Sequence, residues 1–196
     1  GSQSDTDQSH TSEGDASFST TESPYSASKI SSEAFIYSYA RCYELPYLVF
    51  RFSNVYGRFD DDIERMERVI PLFYREIAAG RPITIFGPEK VLDFTYVDDC
   101  VRGVFAGCQK LLSGEVRNQT FNLAYGSGSP LRMVAETFEE VLGVKADVSF
   151  ERARVGEVTH YVADISQARK LLGFEPSMEL VDGLRAAAAW YGRDRS

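Results

Sequence analysis

Residues 24–57 read PYSASKISSEAFIYSYARCYELPYLVFRFSNVYG, and this stretch sets the fold class. Ser23 before Pro24 marks a helix start, because serine caps well and proline suits a first turn. Ile30, Ala34, Tyr37 and Ala40 recur at roughly helical spacing, and Pro46 lies just past the expected end. Tyr47 to Phe52 is then a mostly apolar run of strand length, as in a strand buried on both faces. Asn54-Val55-Tyr56-Gly57 leaves it. A helix feeding into such a strand is a unit of an α/β chain.

The alternation continues downstream. A second helix is expected from Met66 to Ala79, with Pro71 near its start and Gly80 as its stop. Short strands are expected at Ile83–Phe86 and Asp93–Val97. Asp98 is expected to cap a helix from Asp99 to about Leu112. Gln119–Leu123 reads as a strand and Tyr125–Gly128 as a loop. Leu131–Leu142 reads as a helix closed by Gly143, and Lys145–Phe150 as a strand. Ser166–Leu172 reads as a helix stopped by Gly173, and Leu180–Tyr191 as the last helix, with Ala186–Trp190 as a packed face.

Upstream, residues 1–23 contain one aromatic and no Val, Ile or Leu. That composition predicts a flexible arm or loop. The chain opens on Gly1-Ser2 and its first methionine is Met66, so we expect a processed, excised or engineered piece. The 196 residues are 43% hydrophobic, which is globular, and carry a formal charge of −8. An acidic balance argues against general nucleic-acid binding. No apolar run has the length of a membrane span, so no membrane partner is expected. Cys42, Cys100 and Cys108 have no ligand spacing and read as reduced residues of a cytoplasmic protein. His10 lies in the arm and His160 lacks partners, so no metal site is expected.

Tyr25 and Lys29 are four apart and share a helix face. Such a pair is either a packed ring beside a solvated ammonium or an activated base. A phenol titrates near 10, and bringing it to about 7 requires roughly 4 kcal/mol. One ammonium at about 5 Å, at an effective dielectric of about 20, gives roughly 3 kcal/mol before desolvation. A second positive charge must therefore help, and an oxidised nicotinamide ring would supply it. The chemistry would be proton removal from a hydroxyl coupled to hydride transfer.

Further pieces stand in one order: Arg51-Phe-Ser-Asn54-Val-Tyr-Gly57, Val69-Ile-Pro71, Thr84-Ile-Phe-Gly87, Asp93-Phe-Thr-Tyr-Val-Asp-Asp99, Arg154-Val-Gly-Glu157 and Ala163-Asp-Ile-Ser166. With Tyr25 and Lys29, this set resembles the extended short-chain dehydrogenase/reductase family, in its nucleotide-sugar epimerase and dehydratase branch. The resemblance runs from about Ser23 to the C-terminus. It implies an α/β fold: an incomplete NAD(P)-binding Rossmann-like parallel sheet plus a smaller α/β substrate-binding lobe. Residues 24–60 would be the C-terminal part of the Rossmann-like domain. Residues 61–196 would be mostly substrate lobe, with about 93–125 returning to the sheet.

The resemblance also implies roles. Tyr25 would be the general base, and Lys29 would favour its ionised form and hold the nicotinamide ribose, so both would bind the cofactor NAD. Asn54 would hydrogen-bond the substrate's diphosphate or sugar, or else cap the turn after the strand. Val69 and Ile70 would wrap the nucleotide base, and both can also be core. Phe86 joins them as a substrate-binding residue. Arg154 would grip the diphosphate, or else pair with Glu151 or Glu157. Asp98 and Asp99 read as caps, and Asp164 as ordering a turn.

Two departures stand out. The family commonly has an arginine just before the Asp-Phe pair, and here that position is Leu92, which cannot bind an anion; Lys90 is a candidate substitute. The 196 residues also hold no strand–glycine-loop–helix unit for the NAD pyrophosphate. The family's catalytic Ser or Thr would fall at the very beginning, at Ser2 or Ser4. The expected function is thus the C-terminal part of an NAD-dependent epimerase resembling UDP-glucose 4-epimerase, inactive by itself. A dehydratase of the same family, or a non-enzymatic nucleotide-sugar-binding module, are the alternatives. A homodimer through the helix near Tyr25 is the expected assembly.

Overall fold

The computed structural model describes residues 24–60, 68–153 and 158–193. The expected arm and Met66, the expected start of the second helix, lie outside them. The described elements are α1 (Pro24–Tyr43), β1 (Leu48–Phe52), β2 (Asn54–Tyr56), α2 (Val69–Ala78), β3 (Ile83–Phe86), β4 (Val91–Tyr96) and α3 (Val97–Ser113). They continue as β5 (Gln119–Leu123), β6 (Gly128–Pro130), α4 (Leu131–Leu142), β7 (Val148–Glu151), β8 (His160–Tyr161), α5 (Ser166–Leu172) and α6 (Leu180–Tyr191). The fold is α/β, and its strand pairs are mostly parallel: β1 with β5, β2 with β4, β3 with β7 and β4 with β8. Among the described strands only β4 with β6 runs antiparallel.

The apolar run after α1 forms β1, and the residues that leave it form a second strand, β2, with a different partner. β1 pairs with β5 through Leu48↔Gln119 to Phe52↔Leu123. β2 pairs with β4 through Asn54↔Phe94 to Tyr56↔Tyr96. The chain changes neighbour at Ser53, whose Oγ lies 2.6 Å from the Thr95 hydroxyl. β1 also corrects the expectation of burial on both faces. Among its residues only Val49 is buried, and Phe52 is 49% exposed. No described strand pairs with the edge of β1 opposite β5.

Two apolar cores result. One joins Tyr56, Phe94 and Tyr96 to Ile70, Phe73 and Ile77 of α2, Val134 and Phe138 of α4, and Leu184 and Ala187 of α6. These helices pack with α4 between α2 and α6. Each fully buried Phe, Ile or Leu side chain here contributes about 1.5–3 kcal/mol. The other core gathers Phe121, Leu123, Ile165, Ala168, Leu172 and Phe174 under β1 and β5. Gly107 allows α3 to approach β1, because a Cβ there would stand 2.5 Å from Phe50 Cζ. The expected stops at Gly143 and Gly173 both take left-handed backbone with φ of 65°.

α1 departs from its expected pattern. Its half-buried residues are Ile30, Glu33, Tyr37 and Ala40, so Glu33 replaces Ala34 on the inward stripe. No residue of α1 is fully buried. The helix is fastened by polar contacts instead. Arg51 of β1 donates from Nε and Nη2 to the two Glu33 oxygens at 2.7 and 2.6 Å. The Tyr37 hydroxyl stands 2.9 Å from both Glu33 and Thr120 of β5. Bidentate, charge-assisted geometry of this kind is stronger than neutral hydrogen bonding.

The start of α3 is also corrected. The helix begins at Val97, and its N-cap Tyr96 makes no side-chain cap bond. Asp98 lies in the first turn and pairs with Arg58 at 2.8 Å. Asp99 is fully buried and points across the fold, where the Ser177 and Met178 amides donate to it at 3.2 and 3.0 Å. Among the described residues no helix is long and apolar enough to cross a membrane.

Candidate active site

The switch of partner at Ser53 opens a cleft of about 560 Å³ beside β2. Its walls come from β2, β3, β4 and the first turn of α2, and Tyr25 stands over it from the first turn of α1. Tyr25, Asn54, Val69, Ile70 and Phe86 all line this one cleft, with Lys90 and Leu92. Residues far apart in sequence thus converge through the parallel pairing of β2 with β4 and the packing of α2.

Tyr25 is 71% exposed. Lys29 stands one turn along α1 with its Nζ 5.3 Å from the centroid of the Tyr25 ring. Lys29 itself is not part of the cleft wall. The pair is held over the cleft because Glu33 and Tyr37, on the same side of α1, are bound to β1 and β5.

Asn54 is the first residue of β2, and its amide nitrogen donates to the Asp93 carbonyl at 2.9 Å. It ties two strands together and does not cap a turn. Val69 is half-buried, Ile70 is buried in the first core and Pro71 is buried beside it, and all three line the cleft. Core and wall are one surface here. Proline is tolerated in this first turn because its missing N–H has no intrahelical partner to lose. Arg154, Ser2 and Ser4 lie outside the described residues.

Asp93 is the residue whose importance the sequence reading missed. Its carboxylate is fully buried and accepts three backbone amides: Tyr125 at 3.0 Å, Gly126 at 3.0 Å and Ala163 at 3.2 Å. Burial pushes this carboxyl up from its ordinary range, against the pull of those amides. The available signal was an acidic residue inside an otherwise apolar strand, which must be satisfied by something. Asp164 does order its turn, accepting the Ser166 amide at 2.9 Å. Burial pushes the Cys100 thiol up to about 12, so it stays protonated. All three cysteines are free. No cluster of described residues could hold a metal ion.

The arrangement offers a phenol with an adjacent ammonium at the mouth of a largely apolar cleft. That suits proton exchange with a hydroxyl of a bound ligand. The family model described as NAD dependent epimerase/dehydratase family matches residues 1–124. A UDP-glucuronate 4-epimerase of Thermodesulfobacterium geofontis is 33% identical over 170 residues, covering 86% of this chain and 50% of the relative. The UDP-glucose 4-epimerase of Thermotoga maritima, solved with UDP-glucose, superposes with a TM-score of 0.79 at 30% identity. That match covers 88% of this chain and 54% of the other. A UDP-glucuronic acid 4-epimerase from Bacillus cereus, solved with UDP-glucuronic acid and NAD, gives a TM-score of 0.76 at 28% identity, covering 87% and 53%. The chain spans about half the length of the curated relatives it matches.

Proposed function

The chain belongs to the NAD dependent epimerase/dehydratase family, and from that premise we propose that it carries the active-site helix and substrate cleft of an NAD-dependent nucleotide-sugar epimerase. The observation that carries this reading is the cleft itself. Five residues proposed for catalysis or substrate binding, from separate segments of the chain, line one cavity of about 560 Å³. A cavity of that size suits a small organic ligand.

In this reading Tyr25 takes the proton from a sugar hydroxyl. The Lys29 ammonium beside the ring favours the ionised phenol. Asn54 presents its amide to the sugar or diphosphate, with one donor already fixed on Asp93. Val69 and Ile70 pack against the nucleotide base and Phe86 completes that wall. Arg154, outside the described residues, would grip the diphosphate. NAD, when bound, supplies the hydride acceptor and donor. The exposed Tyr25 and Lys29 side chains suit its ribose and nicotinamide end in both donor chemistry and access. The glycine loop for its pyrophosphate is not within these 196 residues and would come from a longer polypeptide or a partner.

We keep a division in which 24–60 and about 93–125 belong to the Rossmann-like sheet and most of the remainder to the substrate lobe; Leu48 and Phe50 packing with Phe121 and Leu123 supports it, while Tyr56, Phe94 and Tyr96 pack with α2, α4 and α6, and Ile165 to Phe174 pack with β5. Phe35, Tyr39 and Tyr43 on α1 are exposed, which supports self-association through that helix. Free cysteines fit a cytoplasmic setting.

The test is calorimetric titration of the chain with UDP-glucose and UDP-glucuronate, followed by an epimerisation assay with NAD in the longer protein. We expect the Tyr25→Phe variant to keep nucleotide-sugar binding and lose turnover. Binding by wild type with no turnover in any context supports a binding module instead. Absence of binding refutes the reading.

A further inference from the structure

α1 lies on the β1–β5 pair with little apolar seating. None of its residues is fully buried, and Phe35, Tyr39 and Tyr43 are exposed. Side chains alternate across a strand. Leu48 and Phe50 of β1 face α3, where Gly107 makes room for them, so Arg51 faces the other way. Thr120 is paired with Val49, which puts it on the same side of the sheet as Arg51. Arg51 and Thr120 are the two sheet residues that reach polar groups of α1.

Four side chains form one hydrogen-bonded chain. Arg51 donates twice to Glu33, and the Tyr37 hydroxyl donates to the same carboxylate at 2.9 Å. The Thr120 hydroxyl is then left to donate to the Tyr37 oxygen at 2.9 Å. Burial pushes the Tyr37 phenol up, and the Arg51 hydrogen bond holds the Glu33 carboxyl below its ordinary range. The proton thus stays on the phenol and the charge on the carboxylate. None of the four lines the cleft. Tyr25, Lys29, Glu33 and Tyr37 follow at intervals of four along α1. Glu33 therefore stands about 12 Å along the axis from Tyr25, at about 1.5 Å per residue. A side chain reaches about 5–6 Å from a helix axis, so a rotation of α1 by about 10° moves it about 1 Å. A misplacement of that size costs up to about a hundredfold in rate.

We infer that Glu33, Arg51, Tyr37 and Thr120 are positioning residues, which set the rotation of α1 and so aim the Tyr25–Lys29 pair into the cleft. This rests on the function proposed above. The competing account is a fastening that adds stability alone. The two accounts separate when the ion pair is exchanged for apolar residues, an exchange that is often neutral or stabilising. An apolar seat keeps the helix on the sheet but lacks the directionality of a bidentate pair.

The experiment compares wild type with the double variant Glu33→Met/Arg51→Met and with Arg51→Lys. In the full 196-residue chain, thermal midpoints report stability, and residual dipolar couplings of the α1 amides report the orientation of the helix and its rotation about its own axis. In the longer protein with NAD, epimerisation of UDP-glucose and UDP-glucuronate gives kcat and KM. We expect the double variant to hold the wild-type thermal midpoint or exceed it. Its α1 couplings should fit a rotated helix, or one averaged over rotations. Its kcat should fall about tenfold to a hundredfold while KM stays within about twofold. Arg51→Lys keeps the charge and loses the fork, so its kcat should fall by less. Wild-type couplings in the double variant overturn the inference, whatever its thermal midpoint. A rotated helix with wild-type kcat also overturns it and leaves the nucleotide-sugar reading intact. A wild type that epimerises neither nucleotide sugar refutes that reading, and the couplings then decide the inference alone: rotation upholds it and an unmoved helix overturns it. If the double variant does not fold, Arg51→Lys decides by the same two readouts, since wild-type couplings and kcat there overturn the inference.

Discussion

Replacing Asp93 tests whether one carboxylate knits the cleft together. Its Oδ1 accepts the Tyr125 amide, and its Oδ2 accepts those of Gly126 and Ala163. The three donors are not equally dependent on it. The Tyr125 amide also donates to the Thr95 hydroxyl at 2.9 Å, so it keeps a partner in any variant. Asp93→Ala therefore leaves two amides without Asp93 in a site where the side chain itself is fully buried. At about 1–3 kcal/mol for each orphaned donor, the loss is about 2–6 kcal/mol. Asp93→Asn can keep its amide oxygen toward Gly126 and Ala163, but its NH2 cannot accept from the Tyr125 amide, which falls back on the Thr95 hydroxyl. It then exchanges charge-assisted bonds for neutral ones of roughly half the strength, at about 1–3 kcal/mol. Native domains have only about 5–15 kcal/mol in total, so alanine should approach the limit of folding. Urea unfolding followed by circular dichroism gives the two values, and amide exchange at Gly126 and Ala163 reports the site. Equal m-values would confirm that the same surface is exposed in each case. An Asp93→Ala variant within about 0.5 kcal/mol of wild type would show that this carboxylate ties nothing together.

Three further outcomes are expected. Hydrogen bonding from Arg51 holds the Glu33 carboxyl below its ordinary 4.5. Its contribution is therefore fully present above 4.5 and lost as pH falls through the lowered folded value, so the stability gap to Glu33→Gln, measured by urea unfolding, should be constant near neutrality and close in acid. A Cβ at Gly183 would stand 2.0 Å from the Tyr56 hydroxyl, so Gly183→Ala should cost about 1–3 kcal/mol by overpacking, and Tyr56→Phe in the same chain should recover part of it in a double-mutant cycle. Asp99→Ala should speed hydrogen exchange at Ser177 and Met178, whose amides it accepts, and lower the thermal midpoint.

The elements that could be read in advance were those whose signal is local. α4 and α5 carry helical periodicity and end on glycines in left-handed backbone, and both were placed to within a residue or two. β6 and β8 span only Gly128–Pro130 and His160–Tyr161, too short for alternation to register. The division at Ser53 was invisible for another reason. Tyr47 to Phe52 reads as one apolar run and Asn54–Gly57 as its exit, and that the exit pairs as a strand of its own depends on Phe94–Tyr96, far along the chain. Asp98 and Asp99 show the same limit. Both sit where a cap is expected, but Asp99 finds its donors at Ser177 and Met178, which no local rule anticipates. The cleft residues Tyr25, Asn54, Val69, Ile70 and Phe86 were picked out by their order, whereas their convergence is a property of the fold.

Tyr25, Lys29 and Asn54 are positioned by groups other than themselves. Tyr25 and Lys29 make their approach over the cleft on a helix with no fully buried residue. Their placement relies on Glu33 and Tyr37, which share their side of α1 and bind Arg51 and Thr120. Asn54 likewise takes its orientation from the Asp93 main chain, while the Asp93 side chain secures the neighbouring loops. Both supports are polar and directional, so they fix angle as well as distance. An apolar seat of equal strength would hold α1 on the sheet but would tolerate rotation about its axis. Because i and i+4 positions share a face, rotation would carry Tyr25 and Lys29 away together. A bidentate guanidinium–carboxylate pair two turns from the tyrosine resists that motion, which gives a physical reason for Glu33 to stand on a stripe where an apolar residue was expected.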